Sequence, residues 1–503
     1  MMFKKDYKNL ISEGRSPELV QRQLEYLKNG APPFFDISPV RLSDGIQKLS
    51  KKEQVETQRL FKQEEDSCKW TKFVPASGVG SRMFLPFFEY WEAKESPDFF
   101  LDTYLNSEAG AALKILYINL KRLPFYGKVS ARVSSNTSVN FSNKPDFFEA
   151  FTKVLLFDKT LQYFSLPKAL IPFFIDEQGE ELTPFEAQLL EAIEMVNKNN
   201  LITLHFTITK EHRPLFERVE KYFRQQIPAR VNSLLAIDYS YQNRLLDTPF
   251  VDENNVFIRD NNGNIDFRKG GHGALLENMN LLDSDYVLIK NIDNIKWGPK
   301  NSSSISWQQI LAGKLLTIQK DIFRHLEHLT LEKDNTPLEP IQTFIKTHFD
   351  PHYKLNIQNK RSFQSLIDYL NRPIRVCGMI LNKGAKGGGP FWKKQARGRT
   401  LQIIEGVELN KSNQQSTSEQ ITYFNPVMMV CGIKNFKGTK FSLLDYRDEQ
   451  RFMVSHKTIG NVKIKVLEWP GLWNGGMAEW NTLFIELPEA TFNPVKIVSD
   501  LFL

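Results

Sequence analysis

Apolar residues along the chain recur at two spacings, those of buried strands and those of amphipathic helices. Residues 72–76, 201–208 and 287–293 are short apolar runs of strand length, and residues 213–224 repeat apolar positions at helical spacing. Strands that alternate with helices are typical of an α/β sheet. The pattern therefore predicts an α/β core.

Longer stretches of helical spacing interrupt this core. Residues 84–164 are rich in Phe and Leu, residues 303–372 return to helical spacing, and residues 373–503 mix strands with glycine-rich loops. We predict an N-terminal helical segment over residues 1–69 and one α/β domain over residues 70–503, which carries two helical insertions. The first insertion is expected to cap the core, with a lid over the active site as the alternative.

Composition places the chain among ordinary globular proteins. It has 503 residues, of which 41% are hydrophobic and 24% are charged, so disorder and coiled coil are excluded as the main architecture. The net charge of +7 comes from 65 basic and 58 acidic residues. This excess is compatible with an anionic ligand, but lysines are interspersed with acids, which disfavours nucleic-acid binding.

Cysteine usage and hydropathy bear on the cellular compartment. Cys68, Cys377 and Cys431 stand far apart without a CxxC pair, which argues against a disulfide framework and a structural zinc site. The N-terminus lacks an apolar signal region, and no apolar run approaches the ~20 residues of a transmembrane helix. We expect a cytoplasmic protein that does not bind a membrane.

A glycine-rich turn directly after the first strand is a candidate phosphate site. A strand that ends in GxG and opens a helix exposes backbone N–H groups to phosphates. The residues of this turn that we single out are Ser77, Gly78, Gly80, Ser81 and Arg82. A guanidinium suits a polyphosphate, while a tight turn without a ligand is the alternative interpretation.

Lys168 is a second candidate for phosphate binding. It follows Pro167 and precedes an apolar stretch, although a surface lysine is the simpler interpretation of this segment alone. Shortly afterwards, Thr183, Pro184 and Glu186 combine an N-cap, a proline at the first helical position and a capping-box acid. We therefore predict that a helix starts there.

Two further motifs carry candidate ligand residues. Gly271, His272 and Gly273 allow the backbone to approach a planar or phosphorylated ligand closely. Asp293 closes the apolar run 287–293, and a carboxylate at the carboxyl end of a strand can hold Mg²⁺ together with substrate phosphates. A polar turn is the alternative interpretation of Asp293.

In their order along the chain, these motifs resemble those of the UDP-sugar pyrophosphorylases. The stretches that carry the resemblance are Ala76–Met83, Pro167–Leu170, Tyr241–Leu246, Gly271–Gly273, Asn291–Asn294, Ile403–Glu405, Phe424–Asn425 and Phe492–Leu501. The resemblance covers roughly residues 70–503. It implies a Rossmann-like, mixed-sheet nucleotidyltransferase core of the GT-A-like type. The chain also resembles a family from Bacteroidota-type bacteria known only as a domain of unknown function.

The resemblance further implies a reaction and a set of site residues. The reaction joins a sugar 1-phosphate to a nucleoside triphosphate, with UTP favoured, and releases pyrophosphate. Mg²⁺ is the implied cofactor, held by Asp293, and the implied catalytic cations are Arg82, Lys168 and Lys496. The implied nucleotide contacts are Ser77, Gly78, Gly80, Ser81, Gln242, Gly271, His272 and Gly273. The implied sugar contacts are Asn382, Glu405 and Asn425, and the loop at Gly387 lies over the sugar or is simply flexible.

The chain departs from the family pattern in several places. About 85 residues separate the glycine turn from Lys168, and Ala274 stands where an acidic residue often follows Gly-His-Gly. Where some bacterial relatives place a second metal-binding Asp, this chain has Asn474, Glu479 and Asn481. These departures keep a second hypothesis open, namely a protein that retains the fold and binds a nucleotide or sugar nucleotide without turnover.

Three spatial expectations follow from the site assignment. Asp293 should face the glycine turn, and Lys168 should return to that turn despite the long insertion. The apolar residues around Lys496 should dock the C-terminal segment, since chain ends are poorly ordered unless they are tied down.

Trp473 is expected to pack at the rim of the core, with stacking on a ligand as the alternative.

Overall fold

The computed structural model describes residues 2–32, 34, 36–136, 142–161, 163–196, 200–331, 337–355, 362–384, 388–395, 398–409, 422–459 and 462–502. At Asn136 and Lys300 this description is limited to the backbone. Gly387, which is predicted to lie in a loop over the sugar or in a simply flexible loop, is outside the described residues.

Helices and strands follow one another along the described chain. The α-helices are α1 (Lys4–Ser12), α2 (Pro17–Asn29), α3 (Lys51–Glu64), α4 (Leu85–Lys94), α5 (Leu101–Leu105), α6 (Ala111–Asn119), α7 (Tyr126–Asn136), α8 (Lys144–Phe157), α9 (Pro184–Met195), α10 (Arg213–Gln226), α11 (Ala229–Leu234), α12 (Leu275–Asn280), α13 (Ser302–Leu331), α14 (Leu338–His348) and α15 (Ser362–Leu370). The strands are β1 (Ile37–Pro39), β2 (Arg41–Leu42), β3 (Gly45–Gln47), β4 (Trp70–Pro75), β5 (Phe174–Ile175), β6 (Glu181–Leu182), β7 (Ile202–Ile208), β8 (Leu235–Tyr241), β9 (Thr248–Asp252), β10 (Phe267–Arg268), β11 (Tyr286–Lys290), β12 (Ile374–Leu381), β13 (Gly389–Gln395), β14 (Gly398–Ile404), β15 (Tyr423–Phe424), β16 (Met428–Gly432), β17 (Met453–Ile459), β18 (Val462–Glu468) and β19 (Asn481–Glu486).

The chain divides into two compact units, and each is built from segments that are distant in sequence. Unit 1 consists of Met1–Phe73, Ile237–Lys290 and Ser306–Glu489. Unit 2 consists of Val74–Ala236, Asn291–Ile305 and Ala490–Leu503.

A mixed β-sheet forms the centre of unit 1. Strand β16 lies between β12 and β11 and is antiparallel to both. Strand β19 adds to β12 and the start of β4 adds to β11, both in parallel. Strand β16 and nearly all of β12 are buried, which explains why they appear in the sequence as continuous apolar runs. The predicted α/β class with a mixed sheet is confirmed.

A second sheet in unit 1 is covered by the N-terminal helix pair. Its strand order is β10-β9-β18-β17. Val20, Leu24 and Leu27 lie on one face of α2, as the helical spacing of 3 and 4 requires, and they join a buried cluster with Val251 and Trp469. The N-terminal segment contains α1 to α3 as predicted helices, and also the short strands β1 to β3, which the sequence pattern did not reveal.

Unit 2 contains the first helical insertion, α4 to α8, whose core is aromatic. Phe84, Phe87, Phe125, Phe148 and Phe151 are all buried in one cluster. The predicted helix start after this insertion is also confirmed. The Thr183 N–H donates to Glu186 Oε2 at 2.9 Å, and the Glu186 N–H donates to Thr183 Oγ1 at 3.3 Å. The second insertion forms α13 to α15.

One predicted strand is shorter than its apolar run indicates. Strand β11 ends at Lys290, so Asp293 is not its last residue but lies in the turn that follows. The polar residues Asn291, Asp293 and Asn294 favour turns over strands, and Asn294 pairs with Pro494 in an isolated bridge. The helices that the structure describes include none with the length and apolar character needed to cross a bilayer.

The contact between α13 and α3 in unit 1 gives a stability prediction. A Cβ atom added at Gly313 would lie 1.8 Å from the Thr57 carbonyl oxygen. We expect Gly313→Ala to lower the free energy of unfolding by roughly 1–3 kcal/mol through overpacking, although alanine is the better helix former by about 1 kcal/mol. Urea unfolding followed by circular dichroism measures the change.

The matched control is Gly127→Ala in α7. An added Cβ there has no neighbour within 4 Å, so this variant should be as stable as the wild type or slightly more stable. Equal stability of Gly313→Ala and the wild type would contradict the close helix contact.

Candidate functional site

The glycine turn of unit 2 is fixed against the segment that contains Lys168. The Gly80 N–H donates to the Leu166 carbonyl at 3.0 Å, and the Lys168 N–H donates to the Gly78 carbonyl at 2.9 Å. A Cβ atom at Gly80 would lie 2.2 Å from Ile171 Cδ1, so glycine is required by this close approach. The predicted return of Lys168 to the turn is confirmed.

The outer part of the turn is open to solvent. Gly78, Ser81 and Arg82 are exposed and Ser77 is half-buried. The Arg82 guanidinium makes no hydrogen bond or ion pair with any residue that the structure describes. The geometry leaves these groups available to a ligand, and their contact with phosphate stays a prediction.

Three segments of unit 2 meet at the carboxylate of Asp293. Lys168 Nζ lies 2.8 Å and Lys496 Nζ lies 3.0 Å from the same atom, Asp293 Oδ2. The Asp293 and Lys168 side chains are only 11% and 16% exposed, whereas the Lys496 side chain is 61% exposed. Asp293 and both predicted lysines are thus brought together, beside the glycine turn that Lys168 contacts.

The electrostatics of this cluster are dominated by burial and by the two ion pairs. Burial acts to raise the pKa of Asp293, but Lys168 and Lys496 together hold that pKa below its ordinary value. Burial lowers the pKa of Lys168, and the Asp293 carboxylate opposes this shift. The carboxylate is therefore ionised at neutral pH, with two cations on one of its oxygens.

The C-terminal segment is docked in a way that fixes Lys496. The Val495 N–H donates to the Asp293 carbonyl at 3.1 Å, and both Val495 and Val498 are buried in the aromatic cluster of unit 2. Asp500 Oδ2 accepts hydrogen bonds from the Lys496 N–H at 2.6 Å and from the next N–H at 2.9 Å. The predicted docking of the segment is confirmed.

The sequence analysis missed two residues that support this cluster. Gln188, buried on α9, donates from Nε2 to the Asn291 carbonyl at 3.1 Å and so holds the turn of Asp293. Asp500 closes the turn after Lys496. A buried Gln on a predicted helix was the available signal for Gln188, but the pattern does not tell which segment it contacts.

Asp293 has the donor chemistry for Mg²⁺. Its Oδ1 atom accepts no hydrogen bond from the described residues, and one carboxylate plus substrate phosphates is a common ligand set for this ion. Within the described ranges, no group of three or more His, Cys, Asp or Glu residues could hold a metal ion. A metal here would therefore take most of its ligands from substrate and water.

A second polar cluster lies in unit 1, around His272. A Cβ atom at Gly273 would lie 2.2 Å from the Pro470 carbonyl oxygen, and Gly271 has a positive φ of +77°, so both glycines let the loop pack tightly on the segment after β18. His272 Nδ1 accepts from the Leu472 N–H at 3.1 Å. The imidazole stacks on Trp473 with 4.3 Å between ring centroids.

Two carboxyl groups and one amide complete this cluster. Glu405 Oε1 lies 3.7 Å from His272 Nε2. Glu408 Oε2 accepts from the Glu405 N–H at 2.8 Å and from Asn474 Nδ2 at 3.0 Å. A Cβ atom at Gly388 would lie 2.6 Å from Ile403 Cγ2, so a larger residue beside this cluster would displace the Ile403 side chain.

The pKa values of the two carboxyl groups are shifted in opposite directions. Burial acts to raise the pKa of Glu405, but His272 and Asn474 hold it below its ordinary value. Burial raises the pKa of Glu408 to about 7, with the nearby Glu405 adding to the shift. Glu408 Oε1 and Asn474 Oδ1 are buried and lack a hydrogen-bond partner among the described residues. The Asn474 oxygen therefore requires a donor from water or ligand, whereas the free Glu408 oxygen carries the proton of the neutral acid below a pH of about 7 and then requires an acceptor.

The remaining predicted ligand residues of unit 1 form hydrogen bonds with other groups of the protein. Gln242 Nε2 contacts Asp247 Oδ1 at 3.3 Å, and Asn382 Oδ1 accepts from a backbone N–H two residues on, at 2.9 Å. Asn425 donates from Nδ2 to the Gly378 carbonyl at 2.9 Å and accepts at Oδ1 from a backbone N–H at 3.0 Å. The Asn425 N–H donates to the Gly388 carbonyl at 2.9 Å, so Asn425 holds the backbone at Gly388, beside Glu405.

Arg375 is a further residue that the sequence analysis missed. It is fully buried on β12, donates from Nε to Thr482 Oγ1 at 2.9 Å, and donates from Nη1 to the Trp473 carbonyl. It thereby fixes the loop that carries Trp473 and Asn474. A single charged residue inside an apolar strand was the signal that marks it.

The fold and these two polar clusters define an α/β protein with a cation-lined carboxylate in one unit and a buried acid–amide cluster in the other. A family model described as a domain of unknown function (DUF4301) matches residues 3–503, and the chain belongs to this family. The comparison with curated proteins gives no match.

The solved structures to which the chain is similar include two pyrophosphorylases. The UDP-glucose pyrophosphorylase of Leishmania major is 12% identical, with a TM-score of 0.44, over 99% of this chain and 77% of that one. The UDP-N-acetylglucosamine pyrophosphorylase of Trypanosoma brucei, in complex with an inhibitor, is 13% identical, with a TM-score of 0.47, over 96% of this chain and 74% of that one.

The raised pKa of Glu408 predicts a pH-dependent stability. The folded protein keeps this proton between the ordinary pKa of 4.5 and about 7, so the stabilising contribution is full below pH 4.5 and is lost as the pH rises to about 7. Glu408→Gln keeps an acceptor oxygen and does not ionise. We expect this variant to equal the wild type at pH 4.5 and to exceed it at pH 8 by up to about 3 kcal/mol of unfolding free energy.

Urea unfolding at the two pH values measures this difference. The control is Glu253→Gln, whose side chain is 64% exposed and pairs weakly with Lys463 at 3.9 Å, so it should change stability little at either pH. A Glu408→Gln variant that matches the wild type at pH 8 would show that Glu408 is ionised in the folded state without penalty.

Proposed function

We propose that this protein is a nucleotidyltransferase that joins a sugar 1-phosphate to a nucleoside triphosphate, with UTP favoured, and releases pyrophosphate. The observation that carries the proposal is the convergence of Lys168, Asp293 and Lys496 beside the Gly78 turn. These residues come from three separate parts of the chain, and each was assigned a phosphate or metal role from its motif.

The proposed chemistry needs positioned positive charge more than acid–base groups. An oxygen of the sugar phosphate attacks the α-phosphorus, and the bond from this phosphorus to the pyrophosphate oxygen breaks. Negative charge on the phosphoryl oxygens is stabilised by cations that are already in place. Lys168 and Lys496 supply two such cations, the exposed Arg82 supplies a third, and the N–H groups of the glycine turn add donors.

Asp293 holds the two ammonium groups in place before substrate binds. Lys168 is nearly buried, so its orientation is fixed by the ion pair and its packing, whereas Lys496 is free to move toward a phosphate. Asp293 would also hold Mg²⁺, together with the phosphates of the substrates. The bound ion would neutralise charge on the phosphate oxygens.

The cluster in unit 1 suits the hydroxyl-rich part of the substrates. The Glu405 carboxylate and the buried Asn474 oxygen need hydrogen-bond donors, which sugar hydroxyls supply, and the same hydroxyls accept from Glu408 where it is protonated. The stacked pair of His272 and Trp473 offers a planar surface of the kind on which a ring packs. We propose that this cluster, taken by itself, binds a sugar or nucleoside group, with His272 oriented by its backbone bond.

A second candidate function is binding of the nucleotide without turnover. The observation that favours it is the occupation of Asp293 Oδ2 by both ammonium groups, combined with a single carboxylate at the site. The two functions are separated by titrating the protein with UTP and Mg²⁺ and assaying pyrophosphate exchange with a panel of sugar 1-phosphates. Exchange supports the transferase, whereas binding without exchange supports the second function.

Removal of the Lys496 ammonium group tests the proposed catalytic role. We expect Lys496→Ala to lower the rate of nucleotidyl transfer roughly 10²–10³-fold, by analogy with the loss of one preorganised donor. The melting temperature should change little, because the side chain is 61% exposed and Asp293 keeps Lys168 as a partner. Initial rates of pyrophosphate exchange measure the effect.

Lys128→Ala is the matched control for this variant. Lys128 is 63% exposed and pairs with the largely buried Glu181 at 2.7 Å, in the same unit. Its loss should leave the exchange rate unchanged. Full turnover by Lys496→Ala would remove Lys496 from the proposed mechanism.

Neutralising Asp293 separates its effect on the lysines from its role as a metal ligand. Asp293→Asn leaves two ammonium groups without their counter-charge, so in EDTA the dissociation constant for pyrophosphate should fall several-fold. Added Mg²⁺ should then no longer tighten binding as it does in the wild type. Calorimetric titration of pyrophosphate with and without Mg²⁺ measures both effects.

Asp158→Asn is the control for this substitution, since Asp158 is 9% exposed and pairs with Arg132 at 2.8 Å in the same unit. It should leave pyrophosphate binding at the wild-type level. An Asp293→Asn variant that retains the full Mg²⁺ effect would exclude Asp293 as the metal ligand.

A further inference from the structure

The first helical insertion contains a cavity that the proposed reaction does not use. The cavity has a volume of about 520 Å³ and lies within unit 2, between α6, the start of α7 and the start of α8. Its apolar wall is formed by aromatic side chains of Tyr117, Tyr126, Phe147 and Phe148. None of the residues assigned to the phosphate cluster lines it.

Three cations stand at this cavity, Lys121, Arg122 and Lys144. All three are exposed, and none forms an ion pair with a carboxylate of the described residues. Lys144 Nζ lies 4.3 Å from the centroid of the Tyr117 ring, a cation–π contact that places its charge over the aromatic wall. No Asp or Glu is among the described residues that line the cavity.

Cations elsewhere in the insertion and its surroundings include both paired and unpaired ones. Lys94 is paired with Glu149, Lys128 with Glu181, and Arg132 with Asp158, whereas Lys114 and Lys153 form no ion pair with the described residues. The chain as a whole has nearly as many acids as bases, 58 against 65. The cavity is distinguished by the grouping of three cations at one aromatic wall, with no acid among the described residues that line it.

We propose that this cavity binds a small amphipathic anion, with a planar aromatic or short acyl body and a phosphate or carboxylate group. Packing of the ligand's apolar body against the aromatic wall removes apolar surface from water, and this contributes favourably to the free energy of binding. The anionic group is placed within reach of the three cations. Inorganic phosphate alone uses only the exposed cations, which give little binding energy in water, and an uncharged aromatic compound leaves the cations unused.

Arg122 also forms structural hydrogen bonds, and these affect the choice of variants. It donates from Nη1 to Asn119 Oδ1 at 3.1 Å and from Nη2 to the Phe502 carbonyl at 3.3 Å. Its replacement would disturb the docked C-terminal segment as well as the cavity. Lys144 makes only the cation–π contact with Tyr117 among the interactions of the described residues, so it is the better position to test.

The probe is 1-naphthyl phosphate, titrated into the full-length protein by calorimetry. We expect saturable binding of one molecule per chain, with 1-naphthol and inorganic phosphate each at least tenfold weaker. Lys144→Glu should weaken binding of the probe about fivefold to tenfold. Lys153→Glu, an exposed position on the same helix that does not line the cavity, should bind like the wild type. Unchanged circular dichroism spectra establish that both variants are folded.

The variant Lys496→Ala distinguishes binding of the probe in the cavity from binding at the phosphate cluster. This variant should still bind the probe in the cavity. The proposal is overturned by a lack of saturable binding, by equal affinity for inorganic phosphate, or by equal affinity of Lys144→Glu and the wild type. It is also overturned if Lys496→Ala abolishes binding. None of these outcomes depends on whether nucleotidyl transfer is observed, so the cavity and the proposed function fail independently.

Discussion

The nearly buried carboxylate of Asp293, with two ammonium groups on one oxygen, is the interaction on which the candidate phosphate site depends. Removing a carboxylate and an ammonium from water costs several kcal/mol per ion, so neither Asp293 nor Lys168 is stable there unpaired. The two lysines repel each other, and this repulsion is relieved only by negative charge nearby. A site arranged in this way is complete without substrate and still gains from an additional anion. Polyphosphate chemistry requires this combination of fixed geometry and unsatisfied positive charge.

The length of the insertion between the glycine turn and Lys168 does not disturb this arrangement. The entropic cost of closing a loop grows only with the logarithm of its length, and the insertion forms its own aromatic core around Phe87 and Phe148. Local contacts fix the position of Lys168 at the glycine turn. They are the backbone hydrogen bonds at Gly78 and Gly80 and the close packing that the absence of a side chain at Gly80 allows. The C-terminal segment is also held by local packing, because Val495 and Val498 are buried in that aromatic core.

Local sequence signals predicted the elements well but not the partners of buried polar groups. The apolar runs predicted β4 and β7, the capping box predicted the start of α9, and the Phe-rich spacing predicted the first insertion. The end of β11 was placed three residues too late, because periodicity does not register the turn preference of Asn291 to Asn294. Gln188, Arg375 and Glu408 could not be assigned from sequence, since each acts on a segment more than 60 residues away.

The two polar clusters have opposite hydrogen-bonding character, and this difference bears on the class of substrate. The cluster of unit 2 presents donors, namely two ammonium groups and backbone N–H groups, and therefore suits phosphate oxygens. The cluster of unit 1 presents mainly acceptors, since Glu405 is ionised and the buried Asn474 oxygen lacks a donor among the described residues. Acceptors of this kind suit hydroxyl groups. Each cluster, taken by itself, therefore favours a different kind of chemical group, namely phosphate oxygens at the cluster of unit 2 and hydroxyl groups at the cluster of unit 1.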